Sequence, residues 1–263
     1  MDLDIKGKAA IVAASSRGLG KAVAKGLARE GVNLVIFSRT KKDIENTANE
    51  ISNEYKVKVF PVDADVSKES DLDNVIKIAK EKFSTINILI NNAGGPPLGL
   101  FENFEMTDWK SAIDLNLLST IYLSKKVVPE MKKNNWGRII NITSIAVKQP
   151  IDGLILSNTV RAGVTGFSKT LSNELGEFNI TVNNVCPGRI LTDRIKHIAF
   201  QKAENLNISF ETAIESMKMD IPLKRIGNPE EFADLVVFLA SERASYITGN
   251  TIQIDGGLNK GLF

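Results

Sequence analysis

The amino-acid sequence predicts an α/β fold: a parallel sheet of seven strands, doubly wound, with helices on both faces. Three observations predict it. Short β-branched runs alternate with longer helical patterns along all 263 residues. The runs are apolar throughout rather than alternating, as strands covered on both faces are. A glycine-rich turn separates the first run from the first helix, and a helix that opens on such a turn suits an anion.

The first strand is read over 9–14 and its helix over 18–30, closed by Gly31 in the left-handed conformation. A strand at 33–38 and a helix at 42–55 follow. Strands at 57–62 and 86–91 flank a helix at 67–83, with Ser67 as its N-cap. A long helix is expected over 107–133, the fifth strand over 138–142, another long helix over 156–177 and the sixth strand over 181–186. Asn228-Pro229-Glu230-Glu231 opens a late helix, because asparagine caps, proline suits the first helical position and an acid at the third closes a capping box. The seventh strand is read over 251–255. No repeat, low-complexity tract or linker interrupts the chain, so 1–263 is taken as a single domain.

Composition narrows the function classes. Hydrophobic residues make up 43% and charged residues 24%, the usual proportions of a globular protein with a sizeable core. A net charge of +2 offers no field to recruit nucleic acid or an acidic membrane. No apolar run approaches the roughly 18 residues of a membrane span. The opening Met1-Asp2-Leu3-Asp4 has neither a basic nor an apolar signal region. The one cysteine, Cys186, allows no internal disulfide and reads as core. A cytoplasmic protein acting on a small molecule is expected, with no metal at its site.

In doubly wound sheets ligands bind beyond the carboxyl ends of the strands, where strand order reverses. The turn Ala13-Ala14-Ser15-Ser16-Arg17-Gly18-Leu19-Gly20 is therefore the first candidate site. Glycines at 18 and 20 let backbone approach a pyrophosphate at the helix N-terminus. Further marks follow in order: Asp65-Val66 after the third strand, Asn91-Asn92-Ala93-Gly94 closing the fourth, Pro187-Gly188 with Ile190 and Thr192 after the sixth, then Arg225, Gly227, Pro229, Ile247-Thr248-Gly249 and Asp255-Gly256-Gly257. Together they resemble the short-chain dehydrogenase/reductase family over nearly the whole chain, closest in pattern to its 3-oxoacyl-acyl-carrier-protein reductases. The resemblance implies a Rossmann domain holding a nicotinamide dinucleotide with Ala14, Ser16, Arg17, Gly18, Leu19, Gly20, Ser38, Arg39, Asp65, Val66, Asn92, Ala93, Gly94, Pro187, Gly188, Ile190 and Thr192. Ala13 and Ala14 stand where the family's turn has threonine and its first glycine.

The second strand ends in Ser38-Arg39-Thr40-Lys41, without the acid that bonds the ribose of NAD. Arg39 and Arg17 instead suit the 2′-phosphate of NADP, so NADP is expected ahead of NAD.

The family's chemistry uses asparagine, serine, tyrosine and lysine. By the same resemblance Asn116 and Ser144 match the first two. The tyrosine position falls on Ser157 and the lysine position, four residues on along one helical face, on Arg161. A phenol ionises near 10, whereas an aliphatic hydroxyl is a far weaker acid, and arginine does not pass a proton on. General acid–base catalysis contributes about 10²–10⁴-fold, so this atypical tetrad implies slow hydride transfer unless another acid stands in. Tyr55, Tyr122 and Tyr246 are poorly placed replacements. Lys148, Asp152 and His197 are expected to border the cleft. Ser144 has an alternative use in satisfying loop backbone.

The leading expectation is an NADP-dependent oxidoreductase acting on a carbonyl or alcohol, with a 3-oxoacyl thioester among the substrates. The alternatives are a dinucleotide-binding sensor or structural protein with little redox activity, and a non-redox lyase or isomerase. Residues 192–219 are expected to form a substrate lid. Resemblance implies a homodimer or homotetramer through the helices at 108–133 and 156–177, where Ala162, Gly163 and Gly166 permit close approach.

Overall fold

The computed structural model describes residues 1–262. Its sheet holds β1 (Ala9–Val12), β2 (Asn33–Ser38), β3 (Val59–Asp63), β4 (Ile88–Asn91), β5 (Gly137–Ile142), β6 (Ile180–Pro187) and β7 (Thr251–Ile254), in the order β3-β2-β1-β4-β5-β6-β7. Every pairing is parallel. Order reverses between β1 and β4, so the carboxyl ends of those strands open the crevice that the topology leaves for a ligand.

Side chains of successive strand residues point to opposite faces, and the register stacks them into two cores. Ile11, Val35, Leu89 and Ile139 lie on one face and Val12, Ile36, Ile90 and Ile140 on the other. Helices α1 (Gly18–Arg29) and α2 (Lys41–Tyr55) cover the second face, and α3 (Glu69–Lys82) covers the first. Beyond them come α4 (Met106–Ala112), α5 (Ser119–Lys133), α6 (Ile155–Leu175), α7 (Asp193–Leu206), α8 (Phe210–Met219) and α9 (Pro229–Leu239). Gly31 takes φ +78°, the left-handed closure expected after α1.

Several boundaries differ from the sequence reading, each for a local reason. The first strand stops at Val12 because Ala14 turns to φ +47°. The third begins at Val59 because Lys56 is left-handed after α2. Ser67 does not cap α3: its N–H (3.0 Å) and hydroxyl (2.8 Å) both donate to Asp65 Oδ1, and the helix starts two residues later. The long helix at 107–133 is interrupted by a π-helical turn, Ile113–Leu118, which carries Asn116. The helix at 156–177 ends as a tight turn, Gly176–Phe178.

Polar side chains thread the sheet just below its carboxyl edge. Asn91, Asn141, Asn184 and Thr251 lie opposite one another on β4 to β7. Asn91 Nδ2 donates to Asn141 Oδ1 (2.7 Å), Asn141 Nδ2 to Asn184 Oδ1 (3.2 Å) and Asn184 Nδ2 to Thr251 Oγ1 (3.0 Å). Pairing the amides removes most of the penalty of burying them. It also fixes the register of the strands that carry the cleft.

The late helix opens as expected. Arg225 Nη1 and Nη2 donate to Glu231, at 2.7 and 2.6 Å, and the Asn228 N–H donates to it at 2.8 Å. Those bonds, Arg225 first, pull the Glu231 carboxyl down to about 2. A carboxyl depressed in the folded state adds stability above its unfolded value of about 4.3 and loses it as pH falls through the folded value. Glu231→Gln should therefore melt below the wild type at pH 7, with the gap closing between about pH 4 and the folded value. Thermal melts across that range check this, and a gap independent of pH would contradict it.

Candidate active site

A cleft of about 1360 Å³ runs across the carboxyl ends of β1 to β6. It gathers Ala14, Ser16, Arg17, Gly18 and Leu19 from the first turn, Ser38 and Arg39 from the end of β2, and Asp65 and Val66 after β3. Asn92, Ala93 and Gly94 follow β4, and Pro187, Gly188, Ile190 and Thr192 follow β6. Of the residues expected to hold a dinucleotide, Gly20 alone does not line it. Gly20 serves packing: a Cβ there would lie 2.4 Å from the Ala14 carbonyl oxygen and 2.8 Å from Asn92 Nδ2. That amide donates to both the Ala13 and Ala14 carbonyls, at 3.3 Å each, and ties the end of β4 to the turn.

Ala14 keeps the left-handed backbone that a glycine would adopt freely. Its methyl group makes that conformation cost about 1–2 kcal/mol. Ser15, buried behind it, donates its hydroxyl to the Val12 carbonyl (2.9 Å) and holds the turn against β1.

At the end of β2, Ser38 Oγ is buried with no hydrogen-bond partner among the described residues. Arg39 is exposed beside it, and Arg17 makes only a loose, exposed contact with Asp193 (3.7 Å). Burial pushes the Asp65 carboxyl up, but the Ser67 N–H and hydroxyl and the Arg39 charge outweigh it and hold the group below its usual range.

The opposite end of the cleft holds Ser144, Ser157 and Arg161. Ser144 follows β5 and caps a short turn, its Oγ accepting from the Ala146 N–H at 3.1 Å. The loop-backbone use of this hydroxyl is thus real, and the same residue still faces the cleft. Ser157 and Arg161 are buried on one face of α6. Arg161 Nη1 donates to the carbonyls of Ile142 (2.9 Å) and Thr143 (3.0 Å), and Nη2 to that of Ala93 (3.4 Å). Burial, helped by the nearby Arg194 charge and opposed by Cys186, pulls the guanidinium down to about 10, where it still carries its proton at neutral pH.

Asn116 does not reach the cleft wall. Its Nδ2 donates to the Gly94 carbonyl (3.1 Å), and its Oδ1 is buried without a partner among the described residues. The π-helical turn that carries it is a conformation often found at functional sites. Asp152 lines the cleft, whereas Lys148 and His197 do not, and neither does Tyr55, Tyr122 or Tyr246. Cys186 is fully buried beside Thr143, with Sγ 3.0 Å from Oγ1, and burial pushes its thiol up.

Arg194 is a cleft residue the sequence reading passed over. The segment after Thr192 reads as mixed amphipathic helix with nothing to single out one side chain. The available signal was a cation in the first turn of that helix paired with an unexplained Gly95, which only the folded chain brings together.

Arg161 joins β4 to β5 through three carbonyls. Arg161→Met should cost about 2–3 kcal/mol, since the lost charged hydrogen bonds are only partly offset by no longer burying a charge. Ser157→Ala, which removes a hydroxyl that bonds nothing among the described residues, should cost less, within about 1 kcal/mol. Urea denaturation of both variants measures this, and a Met variant as stable as wild type would show that the carbonyls do not depend on Arg161.

The chain matches, over residues 13–259, the family model described as Enoyl-(Acyl carrier protein) reductase. It is 35% identical over 258 residues to a 3-oxoacyl-(acyl-carrier-protein) reductase of Aquifex aeolicus, covering 98% of this chain and 100% of that one. Among solved structures it resembles the L-sorbose reductase of Gluconobacter frateurii complexed with NADPH and L-sorbose, at a TM-score of 0.95, 33% identity and full coverage of both chains. It also resembles YwfH, an NADPH dependent reductase involved in bacilysin biosynthesis, at a TM-score of 0.91 and 34% identity over 97% of this chain and 99% of that one.

Proposed function

Since the chain belongs to the short-chain dehydrogenase/reductase family, we propose that it is an NADP(H)-dependent oxidoreductase. It moves hydride between the cofactor and the carbonyl or alcohol carbon of a small substrate, with 3-oxoacyl thioesters among the candidates. The observation that carries this reading is the polarity of the cleft. One end offers the unpartnered Ser38 hydroxyl beside Arg39 and Arg17, and the other offers two seryl hydroxyls and no phenol.

The residues present fit such a cofactor. A 2′-phosphate would give Ser38 Oγ the partner it lacks and set a dianion between two guanidinium groups. The N-terminus of α1, with Gly18 left-handed at φ +57°, opens on the cleft and would hold a pyrophosphate. Bound there, NADPH supplies the hydride. The protein's own part is orientation. Ser144 and Ser157 offer hydroxyls to the substrate oxygen, and Asn116 holds Gly94 in place from behind. Arg161 keeps Ala93, Ile142 and Thr143 fixed and contributes charge without relaying a proton. The proton that completes a carbonyl reduction then comes from solvent, and the step lacks the general-acid share of about 10²–10⁴-fold.

Three smaller assignments go with this reading. Residues 1–263 act as one domain, with α7 and α8 as the lid, since both helices supply side chains to the cleft wall. Subunits pair through α5 and α6 as a homodimer or homotetramer: Ala162, Gly163 and Gly166 are exposed along α6, and a side chain at Gly166 would meet nothing. The protein works in the cytoplasm. Its one cysteine is buried and unpaired, and no helix among the described residues is long and apolar enough to cross a membrane.

A second reading, a dinucleotide-binding protein with little turnover, draws on Arg161, three of whose five N–H donors are engaged by backbone carbonyls. One experiment separates the two. NADPH should bind at least about tenfold tighter than NADH, with Arg39→Ala removing most of the difference. NADPH should then be oxidised slowly with ketones or 3-oxoacyl thioesters, and Ser157→Tyr/Arg161→Lys should speed it by tenfold or more. Tight NADPH binding with no oxidation in either protein supports the second reading, and failure to bind NADPH would overturn both.

A further inference from the structure

Arg194 is a cation at the cleft that the proposed function does not use. It is the second residue of α7, half-buried on the cleft wall. Neighbouring arginines of the same region have carboxylate partners: Arg17 has Asp193, Arg189 has Asp220 and Arg225 has Glu231. Arg194 has none within 4.0 Å among the described residues, although Asp152 and Glu204 also line the cleft. Its single hydrogen bond to the described residues runs from Nη2 to the Pro96 carbonyl at 3.2 Å.

The guanidinium is nevertheless held in place. It packs on Gly95, where a Cβ would stand 3.2 Å from Nη2 and 3.3 Å from Cζ. Gly95 has no left-handed backbone, and its bare backbone lets the guanidinium lie closer than a Cβ there would comfortably allow. Gly95 and Pro96 continue the stretch whose Ala93 carbonyl receives Arg161. The side chain thus reaches toward the end of the cleft with Ser144 and Ser157, away from Ser38 and Arg39. Burial lowers Arg194, and its charge in turn helps lower Arg161. Two partly desolvated cations without a carboxylate between them form an unfavourable arrangement that a bound anion relieves.

We propose that Arg194 is a specificity-determining residue and that it binds a carboxylate of the substrate, so that this cleft selects oxo acids over neutral ketones and esters. This rests on the reading of the cleft as the site of an NADP(H)-dependent carbonyl reductase. A planar carboxylate takes two parallel hydrogen bonds from a guanidinium, and of the five N–H donors of Arg194 only one has an acceptor among the described residues. The other anion in reach of the cleft is the cofactor's own pyrophosphate, and the experiment below tells the two apart.

Binding of 3-oxohexanoate and of methyl 3-oxohexanoate is measured by calorimetry, on cofactor-free protein and on protein loaded with NADP+. NADPH is titrated by fluorescence in parallel. Wild type should bind the acid about tenfold or more tighter than the ester, as a charge-assisted pair gives. Arg194→Met should erase that preference while leaving NADPH affinity within about twofold, and Arg194→Lys, which keeps a point charge, should restore part of it. No preference in the wild type, or no binding of either probe, overturns the proposal. So does an Arg194→Met protein that keeps the preference and loses NADPH affinity, which would assign the residue to the pyrophosphate. Failure of wild type to bind NADPH would strike the proposed function alone, because the acid–ester comparison on cofactor-free protein still decides the role of Arg194.

Discussion

Arg161 sets a buried guanidinium where β4 and β5 end, and the carbonyls of Ala93, Ile142 and Thr143 converge on it. Each of these groups would be costly alone: a desolvated cation without an anion, and buried carbonyls at the frayed edge of a parallel sheet. Together they satisfy one another. The loop from Asn92 to Gly94 and the loop carrying Ser144 then leave the sheet in fixed directions. Asn92 extends the constraint to the first turn through the Ala13 and Ala14 carbonyls, and Asn116 extends it to Gly94 from the other side. The floor of the cleft is therefore a hydrogen-bonded frame of backbone and long polar side chains.

Much of the fold was legible because its signals are local. Apolar runs of four to eight residues gave the seven strands, and the capping box at Asn228 gave the start of α9. Failures came where a local rule met a tertiary demand. Ser67 is a good cap by type, but Asp65 takes both of its donors. The helix through Asn116 has a continuous helical pattern, and nothing in that pattern announces a π-helical turn. The ladder of Asn91, Asn141, Asn184 and Thr251 depends on strand register, which exists only once the sheet is assembled. Ala14 shows a different limit: its sequence departs from glycine, yet the turn imposes glycine's backbone.

The site was legible as a set of positions and not as a set of bonds. Spacing alone put Ser157 and Arg161 on one helical face, where they are. The family resemblance placed Ser144 at the cleft and left open the loop-backbone use of its hydroxyl, which caps a turn. The resemblance also grouped Asn116 with the reacting side chains, whereas the side chain is set behind Gly94 and supports the wall. Arg194 was invisible because its meaning lies in contact with Gly95 and Pro96, about a hundred residues away in the chain.

Replacing an ammonium with a guanidinium exchanges a compact, mobile donor for a planar fork that can hold several acceptors at once. The present arrangement uses that fork for the protein's own carbonyls. A crystal structure of the NADP+ complex tests this most directly. The account predicts Arg161 Nη1 still within about 3 Å of the Ile142 and Thr143 carbonyl oxygens, with the 2′-phosphate between Arg39, Arg17 and the Ser38 hydroxyl. A guanidinium that leaves those carbonyls to bond the bound dinucleotide would contradict it.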